Sequence, residues 1–593
     1  MAYYSQIAIN IMVLITLGVS LNLLLGLIGR VSMAQSILFG IGAFTAARLA
    51  LPHRTPEMAD NVSGIGYGLN WPWYVAIAGA IVVTFIAALI ISIPAVRIIR
   101  GEYLILLTLA FQLGGQQTMV VAKTATGGAY GVAGIPPITI GEIDFSGYTD
   151  LGTFHIAIVM FIVTLLVILI AFGIANSPFG RILKTLREQD SVVSSVGKNP
   201  VTPELLAFGI AAAIAGGIGA IFALSQGAII PGNFNLDLSI LIISVVVLGG
   251  TGNLLGTVIG AIFLGALEPI LRSALGDSAI PWRAVIYGSA LILMTYLRPQ
   301  GILPEGAKLK LRRKSRQESI PVTQAEAIAR LCRTKELAGF NSDEVLELRD
   351  LKKSFGGLTA VNGASFKIPR GKITALIGPN GAGKTTIFNM ITGTLKPDSG
   401  QVYLRDKEIT LLGAVKIAQS GIARSFQDVR LCERLTALEN VMVAVPNQLG
   451  ENLLNLVFKP RACRRREKEV RARAFECLAV LGVADKAFEL ISDLSYGDQK
   501  LVAIARLLAT DCEVLLLDEP TSGVDPSNVE GVMQGVMKLR DIGCTVCLIE
   551  HSVYFVEKLA DRAVFLDQGV VLAEGSVESL MNNKELSELY FGG

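Results

Sequence analysis

The stretch Gly378-Pro379-Asn380-Gly381-Ala382-Gly383-Lys384-Thr385 follows an apolar run, Lys372 to Ile377, that is typical of a buried strand. Its eight residues fit the pattern G-x-x-x-x-G-K-[ST], in which a glycine-rich loop and the start of the next helix surround phosphate oxygens. We expect these residues, together with Thr386, to bind a nucleotide. Lys384 would reach the outer phosphates, and the Thr385 hydroxyl would ligate Mg²⁺. The pattern predicts an α/β domain built around this loop.

The composition divides the 593-residue chain into two unlike halves. With 52% hydrophobic and 17% charged residues, the chain is too apolar for a soluble protein and too long for one core. All seven cysteines follow residue 300, and Cys544 and Cys547 fit C-x-x-C within an apolar run. We expect reduced cytosolic thiols rather than a redox or metal site. The formal net charge of +3 is too small to indicate a nucleic-acid partner.

The first half is rich in apolar segments that approach the length of a membrane crossing, about 20 residues. They are Ile7–Ile28, Val75–Ile93, Leu104–Ala122, Ile156–Ile174, Leu205–Leu224 and Ala284–Leu297. Shorter or glycine-broken stretches at 36–51 and 238–270 predict about three more passes or half-passes. We expect an all-α polytopic membrane domain of about eight spans. Gly249 to Gly252 is the best candidate for a break within a helix. The backbone groups freed by such a break would bind a polar solute; the alternative is a plain turn between packed helices.

The orientation of this half follows from its charges. Basic residues cluster at 97–100, 181–198 and 308–316, which predicts that these connections are cytoplasmic. The connections at 57–60 and 142–150 carry acidic residues and are expected outside. By alternation, the N-terminus is predicted to lie outside.

Several short motifs follow one another through the first half. They are Asn22-Leu23-Leu24-Leu25-Gly26, Phe39-Gly40-Ile41-Gly42-Ala43, Thr126-Gly127-Gly128, Phe179-Gly180-Arg181, Gly249-Gly250-Thr251-Gly252 and Arg298-Pro299-Gln300-Gly301. In this order they resemble the M-type permease of the branched-chain amino acid (Liv) importers. The resemblance implies a multi-pass protein of the bacterial inner membrane, in contact with lipid. It also implies that the polar segment Arg187 to Val201 docks on an ATPase and transmits its motion, with a solvated loop as the alternative.

A buried-strand run in the second half, Val514 to Leu517, ends in two carboxylates, Asp518 and Glu519. Asp518 suits the shell of a Mg²⁺ ion, and Glu519 can polarise an attacking water. His551 is the only histidine of this half and also follows an apolar strand. We therefore expect it to contact a γ-phosphate rather than to fill a core.

Leu494-Ser495-Tyr496-Gly497-Asp498 resembles the signature of ABC transporters, which contacts the ATP bound by the opposite subunit. The resemblance implies nucleotide binding by Ser495 and Gly497, a loop glutamine at Gln427, a switch histidine at His551, and adenine stacking by Phe355. The implied catalytic residues are Glu519, His551 and Gln427, and the implied Mg²⁺ ligands are Thr385, Gln427 and Asp518. The second half is thus expected to be an α/β P-loop ABC-type ATPase domain that uses ATP and Mg²⁺.

The stretches 421–427 and 436–440 resemble the G-type Liv ATPase, so the chain is expected to be an M–G fusion. The implied partners are an H-type permease, an F-type ATPase and a periplasmic or extracellular solute-binding protein. Signature residues in this family cannot close over their own chain's ATP, so a second ATPase domain is needed. Asp498 replaces the usual signature Gln, and 521–525 differs from the usual D-loop. Neither change removes a Mg²⁺ or water ligand, so we expect hydrolysis to be retained.

We expect a transmembrane permease domain at 1–303, a cytoplasmic linker at 304–343 and an ABC ATP-binding domain at 344–593. In the linker, Thr323-Gln324-Ala325-Glu326 fits a capping box and predicts a short helix through Ala338. The expected function is ATP-driven import of branched-chain amino acids or similar small amphipathic solutes by alternating access. Alternatives are import of urea, short amides or aromatic acids, an ABC exporter or flippase, and a non-transporting regulatory ATPase anchored in the membrane.

Overall fold

The computed structural model describes residues 2–52, 68–97, 103–140, 143–145, 147, 149–275, some of 285–305, 323–336 and 344–582. The chain divides into two compact units. Unit 1 comprises Met1–Arg187 and Val201–Arg313, and unit 2 comprises Glu188–Pro200 and Lys314–Gly593. The segment Glu188–Pro200 therefore belongs to unit 2, although in the sequence it lies between the two stretches of unit 1. The domain boundaries at 303 and 343 stay a prediction.

The helices of the first 275 residues account for most of unit 1. In chain order they are α1 (Ala2–Leu25), α2 (Gln35–Ala50), α3 (Trp73–Arg97), α4 (Tyr103–Val121), α5 (Lys123–Thr126), α6 (Asp150–Ala175), α7 (Pro178–Glu188), α8 (Asp190–Ser195), α9 (Val201–Gln226), α10 (Leu236–Gly249) and α11 (Leu254–Leu275). Two small antiparallel sheets pair β1 (Val132–Ala133) with β4 (Ala228–Ile229) and β2 (Thr139–Ile140) with β3 (Ile143–Asp144). Helix α8 belongs to unit 2.

Seven helical stretches within the described residues are long and apolar enough to cross a membrane. They are Tyr3–Leu25, Trp73–Val96, Tyr103–Val121, Asp150–Ala175, Val201–Gln226, Pro231–Gly249 and Leu254–Leu271. Helix α2, with 16 residues, adds a shorter buried helix of about 24 Å. Half of the residues of the predicted span Ala284–Leu297 lie outside the described residues. The prediction of a helical, polytopic membrane domain is confirmed.

The predicted break at Gly249 to Gly252 separates α10 from α11. Gly250 and Gly252 have φ of 116° and 85°, a region that favours glycine. The freed backbone groups are satisfied within unit 1: Asn22 Oδ1 accepts from Gly252 N at 2.9 Å, and the carbonyl oxygens of Leu248 and Gly249 accept from the N–H groups of Ile302 and Leu303. The break is therefore a packed turn, and its backbone does not need a solute ligand.

Unit 2 has α/β architecture. Its helices after the linker region are α12 (Gln324–Glu336), α13 (Lys384–Ile391), α14 (Ala414–Ser420), α15 (Ala437–Ala444), α16 (Leu453–Phe458), α17 (Pro460–Leu481), α18 (Tyr496–Leu508), α19 (Pro526–Asp541), α20 (Val553–Leu559) and α21 (Val577–Met581). Its strands are β5 (Glu344–Phe355), β6 (Leu358–Pro369), β7 (Ile373–Ile377), β8 (Ser399–Leu404), β9 (Lys407–Glu408), β10 (Ile422–Arg424), β11 (Val514–Asp518), β12 (Thr545–Ile549), β13 (Arg562–Asp567) and β14 (Val570–Gly575).

These strands form two sheets. The larger has the order β10-β11-β12-β7-β13-β14 and is parallel except for the edge pair β13 and β14. Every residue of β7, β11 and β12 is buried, as continuous apolar runs covered on both faces require. Asp518 pairs with Ile549, and Ile549 pairs with Leu376. The residues that follow these three strands therefore meet at one edge of the sheet. The smaller sheet, β6-β5-β8-β9, is antiparallel.

The predicted capping box of the linker helix is present at the start of α12. Thr323 N donates to Glu326 Oε2 at 3.1 Å, and Glu326 N donates to Thr323 Oγ1 at 3.4 Å. Ala327 and Leu331 are buried in the core of unit 2. The predicted extension to Ala338 lies outside the described residues.

All seven cysteines are free thiols, and six of them are buried. Burial raises the pKa of Cys547 to about 12 and that of Cys477 to about 12. The thiolate forms of these two cysteines are therefore suppressed.

Candidate functional site

The phosphate loop joins β7 to α13 through a turn that only glycine can form at two positions. Gly378 has φ of 145°, and a Cβ there would lie 1.9 Å from the carbonyl oxygen of Leu566. Gly383 has φ of 97°, and a Cβ there would lie 2.4 Å from the carbonyl oxygen of Ala360. The loop can thus approach the backbone of β13 and β6 closely, and the N–H groups of such a glycine-rich loop can meet phosphate oxygens.

Lys384 is the buried cation of this loop. Its Nζ donates to the carbonyl oxygens of Gly378 at 2.7 Å and Pro379 at 2.8 Å. Burial lowers the pKa of Lys384, while the carboxylates of Glu519 and Asp518 act in the opposite direction. Among the other predicted loop residues, Ala382 is buried, Pro379 and Thr386 are half-buried, and Asn380, Gly381 and Thr385 are exposed. The accessible rim of the loop is where a polyphosphate can bind.

Asp518 ends β11 and is almost fully buried. Arg424 Nη2 donates to Asp518 Oδ2 at 2.8 Å, and Arg424 Nη1 donates to Asn389 Oδ1 at 2.5 Å. Ser425 Oγ accepts from the backbone N–H of Asp518 at 3.0 Å. Burial lowers the pKa of Arg424, and the hydrogen bond from Arg424 to Asp518 opposes that shift. The paired guanidinium makes a buried carboxylate tolerable and fixes its orientation.

Glu519, Gln427 and His551 come together at the edge of the sheet. Gln427 Nε2 donates to Glu519 Oε2 at 2.9 Å, and His551 Nε2 lies 3.1 Å from Glu519 Oε1. Glu519 has φ of 46°, an uncommon conformation for a residue other than glycine, which is concentrated at functional sites. The three residues predicted to carry out hydrolysis are therefore hydrogen-bonded neighbours through one carboxylate.

Lys500 joins three of these motifs and is 4% exposed. Its Nζ donates to the carbonyl oxygens of Gln427 at 2.9 Å and Glu519 at 3.3 Å. Burial lowers the pKa of Lys500. Because Lys500 lies on α18, which begins with the signature residues, it links that helix to the glutamine loop and to the residue after β11.

The signature region ends in an acidic residue, Asp498. Ser495 caps α18, and its hydroxyl donates to Asp498 Oδ2 at 2.5 Å. Lys486 Nζ also contacts Asp498 Oδ2 at 2.5 Å, and this hydrogen bond raises the pKa of Lys486. Ser495 is exposed and Gly497 is buried. In the described part of the chain, no hydrogen bond joins Ser495 or Gly497 to the phosphate loop, so these two predicted residues are not held to the loop of their own chain.

Phe355 ends β5, and its ring is half exposed, with Lys353 Nζ 5.8 Å from the ring centroid. An exposed aromatic face of this kind is available for stacking on a planar ligand.

The donors predicted for Mg²⁺ suit a hard cation. They are a hydroxyl, an amide oxygen and a carboxylate, on Thr385, Gln427 and Asp518. The structure has no group of three or more His, Cys, Asp or Glu side chains arranged as a metal site within the described ranges. A Mg²⁺ ion that is held largely by phosphate oxygens and one carboxylate needs no such group.

The segment Glu188–Pro200 docks on the ATP-binding part of unit 2. Arg430 Nη1 donates to Ser191 Oγ at 2.9 Å, and the N–H of Glu433 donates to Glu188 Oε2 at 2.9 Å. Lys198 forms a salt bridge with Glu451. Val192 and Val193 of α8 are buried. The docked surface therefore lies on the loop that follows Gln427, as the coupling interpretation predicts, and the alternative of a solvated loop is wrong.

The comparisons with known proteins agree in both halves. The family described as the permease component of branched-chain amino acid transport systems matches residues 3–295, and the ABC transporter family matches residues 361–522. The branched-chain amino acid transport ATP-binding protein LivG of Salmonella typhimurium is 39% identical over 252 residues, which are 42% of this chain and 99% of that protein. The chain belongs to the branched-chain amino acid ABC transporter family.

BraF of Pseudomonas aeruginosa, another high-affinity branched-chain amino acid transport ATP-binding protein, is likewise 39% identical over 252 residues, again 42% of this chain and 99% of that protein. A crystal structure of a nucleotide-free ATP-binding cassette from an ABC transporter has 33% identity and a TM-score of 0.37, and covers 42% of this chain and 100% of that chain. In this transporter, unit 1 is the permease half, and unit 2 contains the ABC ATPase, which binds ATP and is an ATP hydrolase.

Four residues of this transporter's ATPase site were missed by sequence reasoning. They are Arg424, Lys486, Lys500 and Glu550. Glu550 follows β12, is buried, and accepts hydrogen bonds from Thr521 N at 3.1 Å and Thr521 Oγ1 at 2.7 Å. Each is a charged residue beside a motif residue in sequence or space, but a single sequence contains no signal that separates it from a surface charge.

Proposed function

We propose that the chain imports branched-chain amino acids, or similarly small amphipathic solutes, across the bacterial inner membrane by alternating access. The observation that carries the proposal is the joining of a permease half to an ABC ATPase domain in one polypeptide. Support for import rather than regulation comes from the docked segment Glu188–Pro200, which connects helices of unit 1 to the loop after Gln427.

Hydrolysis is assigned to the carboxylate of Glu519, which acts as the general base for the attacking water. Gln427 and His551 each hydrogen-bond one of its oxygens and so hold the carboxylate in place. His551 contacts the γ-phosphate from the same edge of the sheet. Mg²⁺ would be held by Thr385, Gln427 and Asp518, where it would neutralise phosphate charge. Lys384 and the loop N–H groups stabilise the transferring phosphoryl group.

Ser495 and Gly497 act on the ATP of a second ATPase subunit. Ser495 caps α18 and Gly497 lies on it, and neither hydrogen-bonds to the phosphate loop of its own chain, as far as the described residues extend. Closure of two ATPases over shared nucleotides would pull on α8 through Arg430 and Ser191. We infer that the second ATPase and the second permease are separate F-type and H-type subunits, and that an external binding protein delivers the solute.

A cavity of about 550 Å³ in unit 1 is the candidate passage for the solute. Its polar lining residues are Tyr3, Gln6, Asn10 and Asn233, the last three of them amides. Much of the remaining wall is apolar, with Leu14, Leu17, Phe39 and Leu238 among its residues. Uncharged amides next to an apolar wall suit a zwitterion with an aliphatic side chain, because the amides can both donate and accept hydrogen bonds.

The test is ATP hydrolysis and solute uptake by the complete transporter in vesicles. We expect hydrolysis to rise when binding protein loaded with leucine, isoleucine or valine is added outside, and labelled amino acid to accumulate inside. Urea, short amides and aromatic acids, each with its binding protein, are the comparison set. Hydrolysis that responds to none of these would overturn import, and a response to only a comparison solute would change the substrate.

A further inference from the structure

We propose that the tip formed by α16 and the first turns of α17 is a lipid-binding surface that contacts anionic headgroups of the cytoplasmic leaflet. This tip spans Asn452 to Arg466. It goes beyond the transport reaction, because neither hydrolysis nor solute passage uses these residues.

The first observation is an exposed apolar stripe. Leu454, Val457 and Phe458 are 65%, 70% and 76% exposed. They are spaced i, i+3 and i+4 on α16, so they share one face of the helix. Three large apolar side chains on one face of a short surface helix favour burial against another apolar phase.

The second observation is the charge beside this stripe. From Asn452 to Arg466 the chain has five basic and no acidic residues. Lys459, Arg461 and Arg464 are exposed and form no salt bridge within the described part of the chain. Arg465 and Arg466 both form salt bridges with Glu469, and Arg466 also donates to the carbonyl oxygens of Pro446 and Asn447, which anchors the start of α17 to the rest of unit 2. An apolar stripe flanked by cations is the pattern of an interfacial helix on anionic lipid.

The third observation is the position of the tip along the chain. Lys198 forms a salt bridge with Glu451, and α16 begins at Leu453. After Lys198, only Asn199 and Pro200 precede Val201, the first residue of a candidate membrane-spanning helix. Three residues can extend about 10 Å at most, so the covalent chain ties Lys198, and with it Glu451, to the start of that helix. A nucleic-acid partner would not explain this position in the chain, and it would not require the apolar stripe.

A probe at position 458 tests the contact in the full chain. Six of the seven cysteines are buried and Cys332 is not, so Cys332→Ser provides a background with little competing reactivity. Phe458→Cys in this background is labelled with a polarity-sensitive fluorophore, and the complete transporter is placed in nanodiscs. Leu411→Cys is the matched control, because Leu411 is also 76% exposed.

We expect blue-shifted emission and protection from acrylamide at position 458 in nanodiscs that contain phosphatidylglycerol, relative to phosphatidylcholine alone. Position 411 should show no difference. Replacing Lys459, Arg461 and Arg464 by Gln should lower the ratio of shielded to unshielded probe by about five-fold for each cation removed. The three substituted side chains are exposed, so the fold should be kept. The comparison of the two lipids with the three cations in place tests the proposal even without these substitutions.

Three outcomes would overturn the proposal. Equal shielding in both lipids would remove the anionic lipid as partner. Shielding that needs the other subunits, whatever the lipid, would make the tip a protein interface. Shielding by an oligonucleotide in phosphatidylcholine discs, as strong as that by phosphatidylglycerol, would assign the surface to nucleic acid. Uptake measurements are independent of all three, so failure here leaves the proposed transport function intact.

Discussion

The Lys500 ammonium donates to the carbonyl oxygen of Gln427 at 2.9 Å, and through this contact the signature helix holds the loop that carries a predicted catalytic residue. Removing the cation would take this donor away from the carbonyl oxygens of Gln427 and Glu519, in two part-buried hydrogen bonds. Each such loss costs about 1–3 kcal/mol.

We therefore predict that Lys500→Met lowers kcat for ATP hydrolysis by about 10–100-fold with a smaller change in KM. Lys500→Arg should retain part of the activity, because the charge and the donors remain. Lys407→Met is the control, since Lys407 is exposed. Unchanged kcat in Lys500→Met would show that the contact does not position the site.

Glu519→Gln should retain ATP binding but lower hydrolysis by about 10²-fold or more, because an amide cannot accept the proton of the attacking water. The amide can still pair with Gln427 and His551, so the local structure should persist. Retention of labelled ATP by the washed transporter is the measurement. Glu530→Gln, on an exposed acidic residue of α19, should behave as the parent. Normal turnover in Glu519→Gln would assign the base elsewhere.

The contact between Lys486 and Asp498 should couple the two residues in hydrolysis. Lys486→Met leaves the Asp498 carboxylate without its cation, whereas the same change in an Asp498→Gln background removes nothing comparable. We expect a coupling energy of about 0.5–1 kcal/mol in kcat/KM from the four variants. Additive effects would indicate that Lys486 does not act through Asp498.

The buried Glu550 predicts a pH-dependent stability difference. Burial raises the pKa of Glu550 above its ordinary value of 4.5. The protonated side chain therefore stabilises the fold fully below that ordinary value, and this stabilisation is lost as the pH rises through the folded-state pKa. Glu550→Gln has no proton to lose and can still accept from Thr521. The unfolding temperature of the variant minus that of the parent should therefore increase from about pH 5 to about pH 8.

Glu550→Ala is the companion variant, because it removes the acceptor for both Thr521 donors. It should destabilise the ATPase by about 1–3 kcal/mol at every pH. If the unfolding temperature of Glu550→Gln minus that of the parent stays constant or falls as the pH rises, the raised pKa of Glu550 is contradicted.

Docking of the segment Glu188–Pro200 can be broken at Val193, which is fully buried. Val193→Asp would place a charge among apolar side chains, which costs several kcal/mol unless the segment detaches. We expect basal hydrolysis within about two-fold of the parent and loss of its stimulation by loaded binding protein. Val193→Leu keeps an apolar side chain and should remain coupled. Stimulation that survives in Val193→Asp would mean that motion passes by another route.

Much of unit 2 was predictable because its motifs are local. The phosphate loop, the carboxylates after β11 and the histidine after β12 each follow an apolar run, and parallel strands bring their ends to one edge. The meeting of Gln427, Glu519 and His551 follows from that topology. The roles assigned to them stay predictions, as do those of the other site residues.

What could not be predicted depends on contacts between distant residues. Lys500 and Arg424 pass for ordinary basic residues in the sequence, and only the fold places each beside a motif residue. In the membrane half, the break at Gly249 to Gly252 was correctly located from its glycines. The way its backbone is satisfied, by Asn22 and by residues after 300, required the structure.

The assignment of Glu188–Pro200 to unit 2 has a practical consequence for protein engineering. A chimera that exchanges the nucleotide-hydrolysing module between relatives at the obvious junction, near residue 320, would separate Arg430 and Glu433 from the segment that fits them. The exchanged module must include this internal segment, because without it ATP hydrolysis in the chimera would not be coupled to the permease half.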